Sequence, residues 1–247
     1  MSKNYEVLRE VGKDLELFKT ETPAPAAVRE PASVSFNGGK RVREEILRLI
    51  QRTFLSGGPD APRRVIFTSV DRGNGCSWVC ARTAEALAAQ VEGTVCVVEA
   101  DHRTPSLHRY FGVGRGSGLA DAMLQQGPVH DFARQIRGTN LWLMSGRESL
   151  SDASDSLSAD QLKSRFAELC SEFRYVLVDA PPVGESADSL IYGRLSDGAV
   201  LVLEAHSTRR ESARKAKECL EAANIRVLGA VLNKRTYPLP EALYKRI

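Results

Sequence analysis

The sequence predicts an α/β protein with a doubly wound, mostly parallel sheet and helices on both of its faces. Short apolar segments rich in β-branched residues alternate with longer segments of helix-forming residues, and this alternation is typical of βαβ units. The first apolar segment leads into closely spaced glycines and then into a helix. No internal repeat is present, and 247 residues are enough for one sizeable domain with an additional segment.

The composition excludes several classes of protein. The net charge of +3 is too small to indicate nucleic-acid binding, so we expect no nucleic-acid partner. Five scattered cysteines form no C-x-x-C pair, which indicates neither a disulfide framework nor a zinc site. No apolar segment resembles a signal peptide or spans a bilayer. We therefore expect a cytoplasmic protein. If the protein acts at the inner face of the plasma membrane, we expect a partner to bring it to that surface.

The chain divides into three segments by composition. Residues 1–20 predict an amphipathic helix, because apolar residues recur at spacings of three and four. The apolar positions are Tyr5, Leu8, Val11, Leu15 and Phe18. Residues 21–40 are rich in proline and alanine and predict a linker, and residues 41–247 form the main domain. The apolar stripe packs either on that domain or on a partner, and the sequence leaves both open.

The main domain begins with a predicted helix over residues 41–54. This helix carries Glu45, Arg48 and Gln51 three residues apart on one face. The predicted strands cover residues 65–67, 94–99, 141–144, 175–179, 198–205 and 226–233. Helices are predicted between these strands. One begins at residue 76, a short one follows the glycine-rich segment near residue 115, and the others cover residues 158–170, 186–195 and 208–223.

The glycine-rich segment after the first strand predicts an anion site. In VIFTSVDRGNGCSW, two glycines precede a run of helix formers, and free N–H groups at a helix N-terminus attract phosphate. Compared with the phosphate loop G-x-x-x-x-G-K-[ST], Gly75 and Ser77 are in place. Val70 stands at the first glycine position and Cys76 at the lysine position. The scaffold of a phosphate site is therefore present without its main charge.

Acidic residues follow two of the predicted strands. Glu99 and Asp101 alternate at the end of the second strand, with Arg103 two residues later, and Asp179 follows an apolar run directly. The carboxyl ends of strands are where open α/β sheets bind ligands, and carboxylates are the ligands that Mg²⁺ prefers. An acid after an apolar strand, together with a phosphate loop, is the Walker B arrangement.

Three motifs resemble those of the cytoplasmic domain of bacterial tyrosine autokinases of capsular and exopolysaccharide synthesis. TSVDRGNGCSW is similar to the Walker A motif of this family, VCVVEADHRTPSLHRYFG to its Walker A′ motif, and YVLVDAPP to its Walker B motif. The resemblance covers nearly the whole chain in the same order. It implies a P-loop NTPase-like fold, related to that of MinD and ParA, with ATP or ADP and Mg²⁺ as cofactors.

The resemblance also implies roles for individual residues. The implied nucleotide-binding residues are Gly73, Asn74, Gly75, Cys76, Ser77, Trp78 and Asn233, the last beside the adenine. The implied metal ligands are Ser77, Asp101 and Asp179, and the implied catalytic residues are Asp101, Asp179 and Arg103. The helix row Glu45, Arg48, Gln51 resembles the Glu-x-x-Arg-x-x-Arg row that assembles subunit rings in this family, and it implies a homo-oligomer.

The chain departs from the family pattern at the centre of the implied site. Cys76 replaces the lysine that pairs with the β- and γ-phosphates, Trp78 replaces a small hydroxyl residue, and Glu99 replaces an aspartate. Loss of the lysine removes a contact that contributes about 1.5–3 kcal/mol to binding. It is also expected to lower the reaction rate by a factor of about 10²–10³. Only Tyr237 and Tyr244 remain as phosphorylation candidates near the C-terminus.

These departures favour a kinase-like regulator or assembly factor of polysaccharide export, with weak or absent kinase activity. Its expected partner is a membrane polysaccharide co-polymerase or chain-length regulator. One alternative is an active autokinase in which another cation, such as Arg72, binds the phosphates. A MinD/ParA-type positioning ATPase is less well supported, because Asp71 stands where that group has a lysine. Cys76 is either a reactive thiolate at a helix N-terminus or, as most free cysteines are, buried and inert.

Overall fold

The computed structural model describes residues 39–146 and 159–236. The predicted helix over residues 1–20, nearly all of the linker over residues 21–40, and the tyrosines Tyr237 and Tyr244 lie outside these residues. They stay predictions.

The centre of the domain is a seven-stranded sheet with the order β3-β4-β2-β5-β1-β6-β7. The strands are β1 (Arg64–Ser69), β2 (Val95–Glu99), β3 (Arg134–Gln135), β4 (Leu141–Met144), β5 (Tyr175–Asp179), β6 (Gly198–Glu204) and β7 (Val227–Asn233). Among the described strands, only β3 and β4 pair in antiparallel fashion. The predicted mostly parallel sheet is confirmed. The two-residue β3 was not predicted, because so short a strand has no periodicity in the sequence.

Of the described helices, one precedes β1, and the others lie between successive strands. These helices are α1 (Lys40–Ile50), α2 (Cys76–Ala88), α3 (Leu107–Tyr110), α4 (Leu119–Leu124), α5 (Ala159–Glu172), α6 (Asp188–Leu195) and α7 (Arg210–Ala222). A π-helical turn, Gln51–Leu55, extends α1, and 3₁₀ turns cover Gly58–Asp60 and Val129–Phe132. None of the helices within residues 39–146 and 159–236 is both long enough and apolar enough to cross a membrane.

The sheet has a hydrophobic core on each face. In β1, Val65 and Phe67 pack into the cluster that contains Ile50 of α1, whereas Ile66 packs into the cluster that contains Leu220 of α7. Because successive strand residues point to opposite faces, a strand buried on both sides is apolar throughout. This explains why the strands of this chain are continuous apolar runs rather than alternating ones.

The register of the central strands aligns their carboxyl ends. Asp179 on β5 pairs with Phe67 of β1 on one side and with Glu99 of β2 on the other. The loops that follow these three strands therefore leave the same edge of the sheet, where ligands bind in open α/β folds.

Candidate nucleotide site

The loop between β1 and α2 forms a left-handed turn at two glycines. Gly73 and Gly75 have φ angles of +82° and +84°, which L-residues with a Cβ adopt only under strain. Asn74 between them is 2% exposed, and its Oδ1 accepts a hydrogen bond from the backbone N–H of Asp71 at 3.0 Å. The loop thus leads into the N-terminus of α2, where the first backbone N–H groups are available to an anion.

The end of β7 holds this loop in place. Asn233 donates from Nδ2 to the backbone carbonyl of Asn74 at 2.9 Å. A Cβ at Gly75 would collide with the same Nδ2 atom. Asn233, implied to contact adenine, therefore packs directly on the phosphate loop in this structure.

A cavity of about 630 Å³ opens above the loop. The cavity lining includes most of the residues that the sequence placed in the site, namely Gly73, Asn74, Gly75, Cys76, Ser77, Trp78, Asp101 and Asn233. Five further polar lining residues were not among the predicted site residues: Ser69, Arg72, Thr104, Tyr110 and Lys234. Arg103 is exposed and does not line the cavity, and its place in the catalytic cluster stays a prediction.

Asp179 lies beneath the loop. It is 1% exposed, and its Oδ2 has no hydrogen-bond partner within residues 39–146 and 159–236. Burial raises the pKa of this carboxyl group to about 7, and the nearby Glu99 and Asp101 carboxylates add to the increase. The Ser77 hydroxyl and the Cys76 thiol form hydrogen bonds with Asp179 and partly oppose this increase in pKa. Near neutral pH, Asp179 is therefore an acceptor poised to bind a proton or a cation.

Cys76 is buried at the position of the usual lysine. Burial raises the pKa of its thiol well above the ordinary value, and the negative charge of Asp179 raises it further. A helix N-terminus by itself lowers a thiol pKa, but desolvation is the larger effect here. The structure favours the interpretation of Cys76 as a neutral, inert thiol, which offers no positive charge to a phosphate.

Asp101 lies at the cavity wall in a network of hydrogen bonds. Its Oδ2 accepts from the Thr104 hydroxyl at 2.7 Å and from Nη1 of Arg72 at 3.1 Å. Its Oδ1 accepts from the backbone N–H groups of Arg103 and Thr104 at 3.2 and 3.4 Å. Both oxygens of this carboxylate thus accept hydrogen bonds from protein groups.

The donor set fits Mg²⁺ bound together with phosphate. Within residues 39–146 and 159–236, His, Cys, Asp and Glu side chains form no group of three or more that could hold a metal ion. Ser77, Asp101 and Asp179 instead offer a few hard oxygen atoms, one of which, Asp179 Oδ2, is unpartnered. Mg²⁺ keeps several waters and takes few protein ligands beside substrate phosphates, so these three residues fit that mode of binding.

Comparisons with known proteins agree with this geometry, although no family model matches the chain. The putative tyrosine-protein kinase CapB of Staphylococcus aureus is 26% identical over 217 residues, which cover 87% of this chain and 92% of CapB. The tyrosine-protein kinase YwqD of Bacillus subtilis is 28% identical over 208 residues, 84% of each chain. The chain is thus similar in sequence to bacterial tyrosine kinases over most of its length.

Solved structures show the same fold. The chimerical protein CapA2B2 superposes with a TM-score of 0.70 at 23% identity, covering 78% of this chain and 85% of that one. The kinase domain of Escherichia coli tyrosine kinase ETK superposes with a TM-score of 0.68 at 19% identity, covering 81% of this chain and 79% of that one. MinD of Pyrococcus horikoshii, solved with Mg-ADP, gives 0.59 at 20% identity, with coverage of 74% and 76%.

Glu99 does not join Asp101 in a cation site. Its Oε1 accepts from the backbone N–H of Leu107 at 2.7 Å and from that of Ser106, and its Oε2 accepts from the Ser145 hydroxyl. Glu99 is 2% exposed and caps the N-terminus of α3. The structure does not support a Glu99–Asp101 cation pair, because capping of α3 engages Glu99 Oε1 and the Ser145 hydroxyl engages Oε2.

Lys234 is a lysine of the cavity lining that the motifs did not single out. It follows Asn233 at the end of β7, has a left-handed φ of 55°, and binds Glu204 Oε1 through Nζ at 3.1 Å. Glu204 Oε2 also accepts from Asn74 Nδ2 at 3.4 Å. The positive charge of Lys234 is thus already neutralised by the last residue of β6.

The exposed row on α1 has two of its three residues paired. Arg48 Nη1 binds Glu45 Oε1 at 2.8 Å, and both side chains are more than half exposed. Gln51 is also exposed but begins the π-helical turn rather than continuing α1. The row is available on the surface, and its role in ring assembly stays a prediction.

Proposed function

We propose that this chain is a kinase-like regulator or assembly factor of capsular or exopolysaccharide synthesis and export, which binds nucleotide with little or no phosphotransfer. The homologues named tyrosine-protein kinase CapB, YwqD and CpsD support the family part of this proposal. The observation that carries the functional part is the neutral Cys76 thiol, buried against Asp179 where a phosphate lysine belongs.

The remaining charges of the site support binding more than catalysis. The two cations that line the cavity, Arg72 and Lys234, are both engaged in ion pairs with carboxylates. The N-terminus of α2 still offers its N–H groups, and Ser77 with Asp179 offers oxygen atoms to Mg²⁺. When bound, Mg²⁺ would neutralise phosphate charge. Among the described residues that line the cavity, a transition state that develops charge on the γ-phosphate finds no free cation. Loss of one such group costs about 10²–10³ in rate.

The proposal is tested by restoring the lysine. Calorimetric titrations with Mg-ADP and Mg-ATP would compare the natural protein, Cys76→Lys, and Cys219→Lys as a matched control on the remote helix α7. We expect weak binding by the natural protein and the control, with tighter ATP binding and measurable tyrosine phosphorylation only in Cys76→Lys. Robust phosphorylation by the natural protein would overturn the proposal.

An active autokinase is the second candidate, because Arg72 lines the cavity from within the glycine loop. In that case Arg72 would turn toward the phosphates, and Tyr237 or Tyr244 would be the acceptor. Arg72→Ala would then abolish phosphorylation while circular dichroism showed an intact fold. Activity that survives this substitution would eliminate Arg72 as the substitute for the lysine.

For partners, we propose a membrane polysaccharide co-polymerase or chain-length regulator, which would hold the protein at the inner face of the plasma membrane. We also propose a homo-oligomer that uses Glu45, Arg48 and Gln51 of the exposed α1 surface. Sedimentation velocity of the natural protein and of Arg48→Glu would test the second point. A monomer in both cases would contradict it, whereas an oligomer lost only in Arg48→Glu would support it.

A further inference from the structure

Arg72 is held in a network that joins three loops at the mouth of the cavity. Its Nε binds Glu185 Oε2 at 2.5 Å, and its Nη1 binds Asp101 Oδ2 at 3.1 Å and the Thr104 hydroxyl at 2.8 Å. Arg72 belongs to the loop after β1, Asp101 and Thr104 to the loop after β2, and Glu185 to the loop after β5. We call this group of four residues the Arg72 clasp.

The clasp engages the cation that is best placed to meet a phosphate. Arg72 immediately precedes Gly73, and it is the only Lys or Arg between Ser69 and Cys76. The Arg72 side chain is 37% exposed, so the guanidinium group is not locked by burial. A planar guanidinium group binds carboxylates and phosphates with the same fork of N–H groups, and one partner therefore competes with the other.

The two carboxylates of the clasp differ in how much they depend on Arg72. Asp101 keeps the Thr104 hydroxyl and two backbone N–H groups when Arg72 leaves. Glu185 is 36% exposed, and its carboxylate binds Arg72. Glu185 is thus a single, movable competitor at the Nε edge of the guanidinium group, and its negative charge also repels an incoming anion.

We propose that Glu185 sets the affinity of the cavity for the phosphate groups of a nucleotide by competing with them for Arg72. This inference rests on the proposed nucleotide site and adds a specificity-determining residue to it. Anion binding exchanges the Arg72–Glu185 ion pair for an Arg72–phosphate pair. Removing the charge of Glu185 therefore strengthens binding, and the gain requires Arg72.

A double-mutant cycle tests the proposal. ADP and inorganic pyrophosphate are titrated calorimetrically, with and without Mg²⁺, into the natural protein, Glu185→Gln, Arg72→Ala and the double variant. Glu172→Gln, an exposed glutamate at the end of α5, is the matched control. We expect Glu185→Gln to bind both ligands about 3- to 10-fold more tightly, the size expected for one partly exposed ion pair and one like-charge repulsion. Glu172→Gln should have no effect.

The Arg72→Ala background decides between mechanisms. We expect Glu185→Gln to have little effect there, because the group for which Glu185 competes is gone. An equal gain in affinity in both backgrounds would mean that Glu185 acts only through its general negative charge, and it would overturn the proposal. Unchanged or weaker binding by Glu185→Gln would also overturn it. If ADP and pyrophosphate bind none of these proteins, nor the Cys76→Lys variant of the earlier experiment, the proposal of a nucleotide site is itself contradicted. If ADP binds and Glu185→Gln changes nothing, only the role of Glu185 fails.

Discussion

The side-chain amide of Asn233 lies 2.9 Å from the backbone carbonyl of Asn74 and donates a hydrogen bond to it. These residues are far apart in the sequence, and their contact ties the last strand of the sheet to the glycine loop. Asn74 is almost completely buried, so its carbonyl has little access to water as a replacement partner. The shape of the loop therefore depends on a residue that is distant in the sequence but adjacent in space.

Substitution of Asn233 by alanine should lower the stability of the domain. Loss of one hydrogen bond to a buried carbonyl costs about 1 kcal/mol, which corresponds to a decrease in melting temperature of about 2–4 °C for a domain of this size. Differential scanning fluorimetry would measure the change. Gln90→Ala, which removes an exposed amide, should leave the melting temperature unchanged. Equal melting temperatures for both variants would mean that the Asn233 contact does not hold the loop.

The two glycines of the loop should respond differently to alanine. Gly73→Ala introduces only the strain of a left-handed φ, because a Cβ there meets no atom within 4 Å. We expect it to cost about 1–2 kcal/mol. Gly75→Ala adds a collision with Asn233 Nδ2 and should cost distinctly more. Urea unfolding of both variants measures the difference, and equal losses would contradict the close approach of Asn233.

Asp179 predicts an unusual dependence of stability on pH. Because the pKa of this carboxyl group is about 7 in the folded state and 3.8 ordinarily, the folded protein binds its proton more tightly than the unfolded chain between about pH 4 and pH 7. The free energy of unfolding should therefore fall as the pH rises through this window, by up to about 1.4 kcal/mol per pH unit.

Asp179→Asn removes the ionisation but keeps the size of the side chain. We expect this variant to be more stable than the natural protein at pH 8, with a difference that disappears near pH 4. Urea unfolding at several pH values, in EDTA and without nucleotide, would measure it. Asp60→Asn, at an exposed position, should follow the natural protein at every pH. A natural protein that becomes more stable relative to Asp179→Asn as the pH rises would contradict the burial argument.

The cysteines should differ strongly in reactivity. Cys76, Cys80 and Cys96 are buried, whereas Cys170 and Cys219 are partly exposed. Burial raises the pKa of the Cys76 and Cys80 thiols well above the ordinary value. In a time course with iodoacetamide followed by mass spectrometry, Cys219 should be modified first and Cys76 only after denaturation in urea. Rapid modification of native Cys76 would show that the thiolate forms after all.

The sequence predicted the elements whose signals are local. The central parallel strands β1, β2, β5 and β6 are apolar runs that are largely buried on both faces, so their positions follow from composition alone. The glycine turn could be predicted because the backbone conformation requires Gly73 and Gly75. The position of Asp179 could be predicted because an acid directly follows an apolar run. The place of Asn233 at the site followed from the family resemblance, although its contact with Asn74 did not.

The partners of the charged residues could not be predicted in this way. Glu99 and Asp101 are two residues apart, yet one caps α3 and the other faces the cavity. The pairing of Arg72 with Glu185 and of Lys234 with Glu204 joins residues from different loops. The amino-acid sequence by itself determined the sheet, the glycine turn and the missing lysine, because these depend on local conformation and residue type. Only the tertiary structure decided which charges neutralise one another, because that depends on which loops meet at the edge of the sheet.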